Sequence, residues 1–176
     1  MSGSFKHLVV PIELRESNDA ENPGNALQIG ANHWIALGPL TVEALRLAAR
    51  LGQDGKLCLV HATPDLRATA LYAGADAAWI PANQIEEAEK SAHEQALRVL
   101  NGAASRYCKD VKIEFVIKPG PPLRVILDAA RYHAADAIVL AASGRSILQR
   151  ALMGSIADKV VREAPCPVIV IPNRGE

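Results

Sequence analysis

The chain carries no net charge, with 19 Lys and Arg against 19 Asp and Glu, and it holds only three cysteines and 4% aromatic residues. Balanced charge removes the broad field that draws a protein to nucleic acid or to an anionic membrane, so no nucleic-acid partner is expected and any ligand must be recognised locally. Cys58, Cys108 and Cys166 are odd in number, far apart and without a Cys-x-x-Cys pair. That pattern argues against a zinc site or a disulfide framework and suits buried thiols in a reducing compartment. No run approaches the ~18 apolar residues of a membrane span. Met1-Ser2-Gly3-Ser4-Phe5-Lys6 lacks the apolar core of a signal peptide. The expectation is a cytoplasmic protein with no membrane partner.

Whole reaction classes are missing as well. There is no Gly-x-x-x-x-Gly-Lys-Ser, which excludes a P-loop, and no Gly-x-Ser-x-Gly elbow, which argues against a serine hydrolase. The dinucleotide glycine fingerprint does not follow the first strand. His7, His33, His61, His93 and His133 are dispersed, without the i, i+4 pairing of a helical metal site, so neither a metal nor a catalytic residue is assigned. Trp34 and Trp79 both fall in irregular connections, where they suit a cover over the core better than a platform for a base.

What is present is enough to fill one domain over 1–176: 49% of the residues are hydrophobic and 22% charged. Leu8 to Ile12 reads as a first strand running into a turn. Arg15 to Gly38 then loses all period among Asn18, Asn22, Pro23, Gly24, Asn25, Gly30 and Asn32, and reads as a long irregular segment. Loops of that length serve as lids, contact surfaces or disordered segments, and Trp34, Ile35 and Leu37 imply that its end packs on something. Leu40–Leu51 is an amphipathic helix closed by Gly52, and Lys56–Ala62 a second strand. Thr63 to Asn83 is a connection with partial helix. From Gln84 to Tyr107 the residues Ile85, Ala88, Ala92, Ala96, Val99 and Ala103 recur at helical spacing. Lys112–Lys118 is a third strand, Gly120-Pro121-Pro122 opens a helix, Asp136–Ala142 is a fourth strand, Ser155–Glu163 a last helix and Val168–Ile171 a fifth strand.

Strands alternating with helices, each strand nearly continuous in apolar residues, predict an α/β fold: a doubly wound, five-stranded parallel sheet. We favour the order 3-2-1-4-5. Ligands then bind where chain order reverses, at the carboxyl ends of strands 1 and 4, which are Pro11-Ile12-Glu13 and Ala141 to Gly144. The same place carries the most distinctive local pattern. Asp136 to Ala142 ends in a small-residue turn with Gly144, and ten positions on Gly154 sits against Ser155. Ser155 with Asp158 has capping-box spacing, and Ile156, Val160 and Ala164 follow at helical intervals along one face. The first amides of a helix starting at Ser155 have no intrahelical partner and carry the positive end of its dipole, so they can hold an anion. A tight turn followed by a helix cap accounts for the spacing equally well. Arg145 and Arg150 are either phosphate contacts or solvated surface arginines.

The segment Ala141 to Pro172 resembles the universal stress protein family, whose nucleotide-binding members carry Gly-x-x-Gly, nine residues, then Gly-Ser or Gly-Thr. Gly144, nine residues, Gly154 and Ser155 fit, while Ala141 stands at the first glycine. Ala164-Pro165-Cys166-Pro167-Val168-Ile169-Val170-Ile171 is similar to the family's ending and Lys6-His7-Leu8-Val9-Val10-Pro11-Ile12-Glu13 to its opening strand. The resemblance covers nearly the whole chain apart from Arg15 to Gly38, which it makes an insertion. It implies a Rossmann-like fold of the adenine nucleotide alpha hydrolase type, with the same strand order. It implies ATP or a related adenine nucleotide as ligand, with or without Mg, in a stress-response regulator. Phosphate contacts fall on Gly144, Gly154, Ser155 and Ile156, and base or ribose contacts on Pro11, Glu13 and the backbone of Ala62. Ala141 and Arg145 complete the expected site.

Two positions depart from the family. Glu13 stands where ATP binders usually have Asp, which moves the carboxylate by a bond length. If position 141 needs a positive φ, alanine costs roughly 1 kcal/mol relative to glycine; if it needs close approach, its methyl stands where a phosphate oxygen would go. The family commonly dimerises through the fifth strand, and the apolar edge Val168–Ile171 fits that use, so a homodimer is expected. The resemblance allows weak ATP hydrolysis without naming a catalytic group. The alternative is a nucleotide-free dimeric interaction module of the same fold, with Ala141 marking loss of the phosphate site. An enzyme acting on an adenylated substrate is a third reading, for which no base or nucleophile is identified.

Overall fold

The computed structural model describes residues 5–16, 26–30, 33–72, 80–142 and 155–172. In chain order these form β1 (His7–Pro11), β2 (Arg15–Glu16), β3 (Ala26–Gly30), β4 (His33–Ala36), α1 (Pro39–Leu51), β5 (Lys56–Thr63) and α2 (Leu66–Tyr72). They continue as α3 (Ala82–Tyr107), β6 (Lys112–Pro119), α4 (Pro122–Tyr132), β7 (Ala137–Ala141), α5 (Ser155–Glu163) and β8 (Val168–Ile171). The five long-run strands make one parallel sheet in the order β6-β5-β1-β7-β8, the expected 3-2-1-4-5. Chain order therefore reverses between β1 and β7.

The continuous apolar character of the strands follows from burial on both faces. Leu8, Val10, Leu57, Leu59 and Val139 pack toward α1 and α3, while Val9, Cys58, Val60, Ile138 and Leu140 pack with α4 and α5. A period of two thus sends alternate residues into two cores, and both are apolar. In α1 the buried set Thr41, Val42, Ala44, Leu45 and Ala48 follows the helical period, with Pro39 in the tolerated first turn and Gly52 at the end. Burial pushes the thiol of Cys58 up to about 12 and that of Cys108 up to about 11, so both remain protonated and unreactive at neutral pH.

Three expectations need correction. The α3 stripe is buried only from Ala96 onward; Ala88 is exposed, because the first half of this 26-residue helix extends past the core and is tied to α2 through an Arg67–Glu89 ion pair of 3.3 Å. Parts of the insertion, read as irregular, form a three-stranded antiparallel sheet in the order β2-β4-β3. Leu27, Ile35 and Leu37 from this region join the α1–α3 core, and a Cβ on Gly102 of α3 would lie 3.5 Å from Leu27. These strands are thus anchored on the flank of α3. Residues 17–25, Trp79 and the Trp34 side chain lie outside the described residues. The third correction concerns the face of α5 and is given with the site.

Candidate functional site: the strand ends at the reversal point

Pro11, Ile12 and Glu13 leave the carboxyl end of β1 next to the end of β5, where Pro11 pairs in register with Val60 and the Ile12 amide donates to the Val60 carbonyl at 2.8 Å. Pro11, Glu13, Ala62 and Ala141 are each partly exposed, as expected for a rim where the two apolar faces meet solvent. On the other side of β1, β7 ends at Ala141, paired with Ile171 of β8, and the Ala142 amide donates to the Ile171 carbonyl at 2.9 Å. The fold thus brings Pro11, Glu13, Ala62 and Ala141 to one end of the sheet. Gly144, Arg145, Arg150 and Gly154 lie outside the described residues.

Ala141 sits inside a parallel ladder. Among the described non-glycine residues only Asp110 and Ala134 have positive φ, so Ala141 carries no left-handed strain and the backbone cost considered above does not arise. What remains of the departure is its methyl group, on a half-buried position at the strand end.

Helix α5 begins at Ser155 as the sequence predicts. Its buried residues are Ala157 and Val160, whereas Ile156 is 38% exposed, so the face shared by Ile156, Val160 and Ala164 is not the buried face of the helix. Ser155 and Ile156 therefore face solvent at the helix start, where unpartnered amides and dipole favour an anion. The carboxylate of Asp158 does not reach back to close a capping box. It pairs with Arg162 one turn on, at 3.1 Å.

One residue of this region escaped the sequence reading. His61, taken only as the end of a strand, directs Nδ1 at the Ile12 carbonyl at 2.9 Å. A carbonyl only accepts, so Nδ1 carries the proton. Burial lowers the His61 pKa, with the Ile12 hydrogen bond acting in the opposite sense, so the ring is neutral at physiological pH. His61 thus fixes the backbone from which Glu13 departs. Its burial against a strand exit is a tertiary fact that one histidine in a strand does not announce. Beyond it, the Thr63 carbonyl accepts from the Gly120 amide at 3.0 Å, where Gly120 has φ +130° and opens the turn into α4.

Among the described residues no three His, Cys, Asp or Glu side chains converge as a metal requires. Two cavities of the described surface lie elsewhere: one of about 560 Å³ between α1 and the end of α3, and one of about 540 Å³ at the amino ends of β1 and β5. The second holds a polar knot in which Glu114 accepts from Lys56 at 2.7 Å and contacts His133 at 3.2 Å. Neither coincides with the strand ends, beside which residues 143–154 are not described.

A model of the universal stress protein family matches residues 37–172. A universal stress protein of Methanocaldococcus jannaschii is 34% identical over 87 residues, which is 49% of this chain and 50% of that protein. One of Bacillus subtilis is 26% identical over 136 residues, 75% of this chain and 90% of that protein. The chain thus spans about half the length of the archaeal relative and nearly all of the bacterial one. Among solved structures, the universal stress protein of Lactobacillus plantarum covers 96% of this chain and 98% of its own, at TM-score 0.62 and 20% identity. A family protein of Arabidopsis thaliana with AMP bound aligns over 97% of this chain and 93% of its own, at TM-score 0.56 and 16% identity. A universal stress protein in complex with cAMP aligns over 97% and 98%, at 0.54 and 19%. No helix among the described residues is long and apolar enough to cross a membrane.

Proposed function

The chain belongs to the universal stress protein family, and from that premise we propose that it binds ATP or a related adenine nucleotide and acts as a stress-response regulator. The nucleotide lies across the carboxyl ends of β1 and β7. Its phosphates face the start of α5 at Ser155 and Ile156, together with Gly144, Arg145 and Gly154. Its base and ribose face Pro11, Glu13 and the Ala62 backbone. The observation that carries this reading is the exposed, amide-bearing start of α5 in a fold whose chain order reverses between β1 and β7. Two structures of the same fold, one with AMP and one with cAMP, support an adenine ligand. Mg, where present, would accompany the phosphates.

The test of the site is Ala141→Gly. The backbone there is already extended, so any gain comes from removing the methyl. Calorimetric titration with ATP is expected to give roughly fivefold tighter binding, about 1 kcal/mol, with thermal unfolding as the stability control. Tight binding that is the same in both proteins would make the position permissive. If neither binds at about 1 mM nucleotide, the dimeric interaction module replaces this reading.

The assembly we propose is a homodimer through β8. Val168, Ile169 and Val170 are only partly buried, on an edge strand that pairs with β7 on one side and has no neighbour on the other in the described sheet. An apolar edge of this kind is an association hazard that pairing with a second copy removes. Sedimentation at micromolar protein is expected to give twice the monomer mass; a monomer would end the proposal.

A further inference from the structure

We propose that the cavity between α1 and the end of α3 is a second ligand site, taking a compact anion that carries several phosphate groups. Arg46 and Arg50 enter it from successive turns of α1, and Arg106 and Lys109 from the end of α3 and the turn beyond; Glu43 is the one carboxylate in the lining. The chain as a whole is neutral, so the excess of Arg46, Arg50 and Lys109 over Glu43 in this lining is a property of the place. Among the described residues, Arg46, Arg50 and Lys109 make no ion pair. Like charges four apart on a helix destabilise it, and a bound anion reverses the sign of that interaction.

Tyr107 supports the arrangement. It is 9% exposed, and the guanidinium carbons of Arg46 and Arg106 stand 5.6 and 5.5 Å from the centre of its ring. The Arg46 guanidinium, held over the aromatic ring, keeps its N–H donors at its edge, in the fork that matches phosphate oxygens. Tyr107 lines the cavity, while its hydroxyl is buried, so the side chain supports the arrangement through its ring. With guanidinium groups already against its ring, Tyr107 offers little surface for stacking a base, so the chemistry fits phosphate groups rather than a nucleoside. The cavity has a volume of about 560 Å³. A concave pocket of this size suits a small molecule, whereas an extended polyanion would need a basic stripe along the surface. Ile171 borders the cavity from β8 and belongs to the α1–α3 core.

The probe is tripolyphosphate, titrated calorimetrically into the full chain, into the double variant Arg50→Glu/Lys109→Glu, and into Gly154→Val, which removes any contribution from the strand-end site. Arg50 and Lys109 are exposed, so their reversal leaves the cores intact. Wild type and Gly154→Val are expected to share a site whose affinity falls at least about tenfold on charge reversal and drops with added salt. Should Gly154→Val fail to fold, wild type saturated with AMP, which carries a single phosphate, takes its place. Should the charge reversal fail to fold, Arg50→Gln/Lys109→Gln takes its place, with a smaller drop expected. Absence of this binding at about 1 mM probe, or affinity indifferent to charge reversal, overturns the proposal. Binding of an acidic peptide without binding of tripolyphosphate would also overturn it, reassigning the cavity to a protein partner.

Discussion

Gly154→Val is expected to abolish adenine nucleotide binding while leaving the protein folded. Gly154 immediately precedes Ser155, the first residue of α5, so any anion held by the opening amides of that helix approaches across position 154. A hydrogen there lets a phosphate come within hydrogen-bonding distance of the backbone; a branched side chain occupies that space. The loss should reach at least about a hundredfold in affinity, roughly 3 kcal/mol. The anchor of α5 is separate, since Ala157 and Val160 are the residues it buries. Thermal unfolding should therefore stay within a few degrees of wild type. Retained affinity in a folded Gly154→Val would show that the phosphate does not lie against this helix start.

The second large effect concerns stability. A Cβ added to Gly55 would lie 2.5 Å from the carbonyl oxygens of both Phe5 and Lys6, and these are backbone atoms with no rotamer to give way. The same carbonyl of Lys6 accepts from the Lys56 amide at 2.7 Å, at the start of the β1–β5 pairing. Gly55→Ala must then separate the amino ends of two central strands. We expect a loss of about 3 kcal/mol, at the upper end of overpacking effects, and a fall in Tm of roughly 6–12 °C for a chain of this size. Gly102→Ala is the contrast. Its nearest neighbour would be a Leu27 side chain at 3.5 Å, an ordinary contact, and helix propensity alone should make it neutral or stabilising by about 0.5–1 kcal/mol. Similar Tm values for the two variants would mean that the close approach at Gly55 is not what limits that position.

The sheet was legible because its strands are apolar on both faces and its helices keep a 3.6-residue period; β8 and α5 fall at their expected bounds, Val168–Ile171 and Ser155–Glu163. Strands β2 to β4 were not. They are short, they lie in a stretch punctuated by Asn and Gly, and only the tertiary contact of Leu27 and Ile35 with the α1–α3 core reveals their inner face. Helical spacing puts Ile156 on one face with Val160, but spacing from Val160 allows two neighbouring registers, and only packing selects Ala157 as the buried one. At the strand ends topology marked Pro11, Glu13 and Ala141 and the family resemblance added Ala62, and the fold brings these four to one end of the sheet. The sequence had no means to mark His61, whose role depends on a carbonyl 49 positions away. The approach of Arg46 to the Tyr107 ring was equally hidden, since α1 and α3 meet there only in the fold.

The central claim is that an adenine nucleotide binds across the ends of β1 and β7. Amide chemical-shift mapping of the isotope-labelled protein during titration with ATP, and separately with AMP, tests it most directly. Saturable shifts are expected at Ile12, Glu13, Ala62, Ala141, Ser155 and Ile156, with ATP perturbing the two α5 amides more than AMP does. Unchanged amides at these positions at about 5 mM nucleotide, or shifts confined to the Arg46, Arg50 and Lys109 surface, would contradict it.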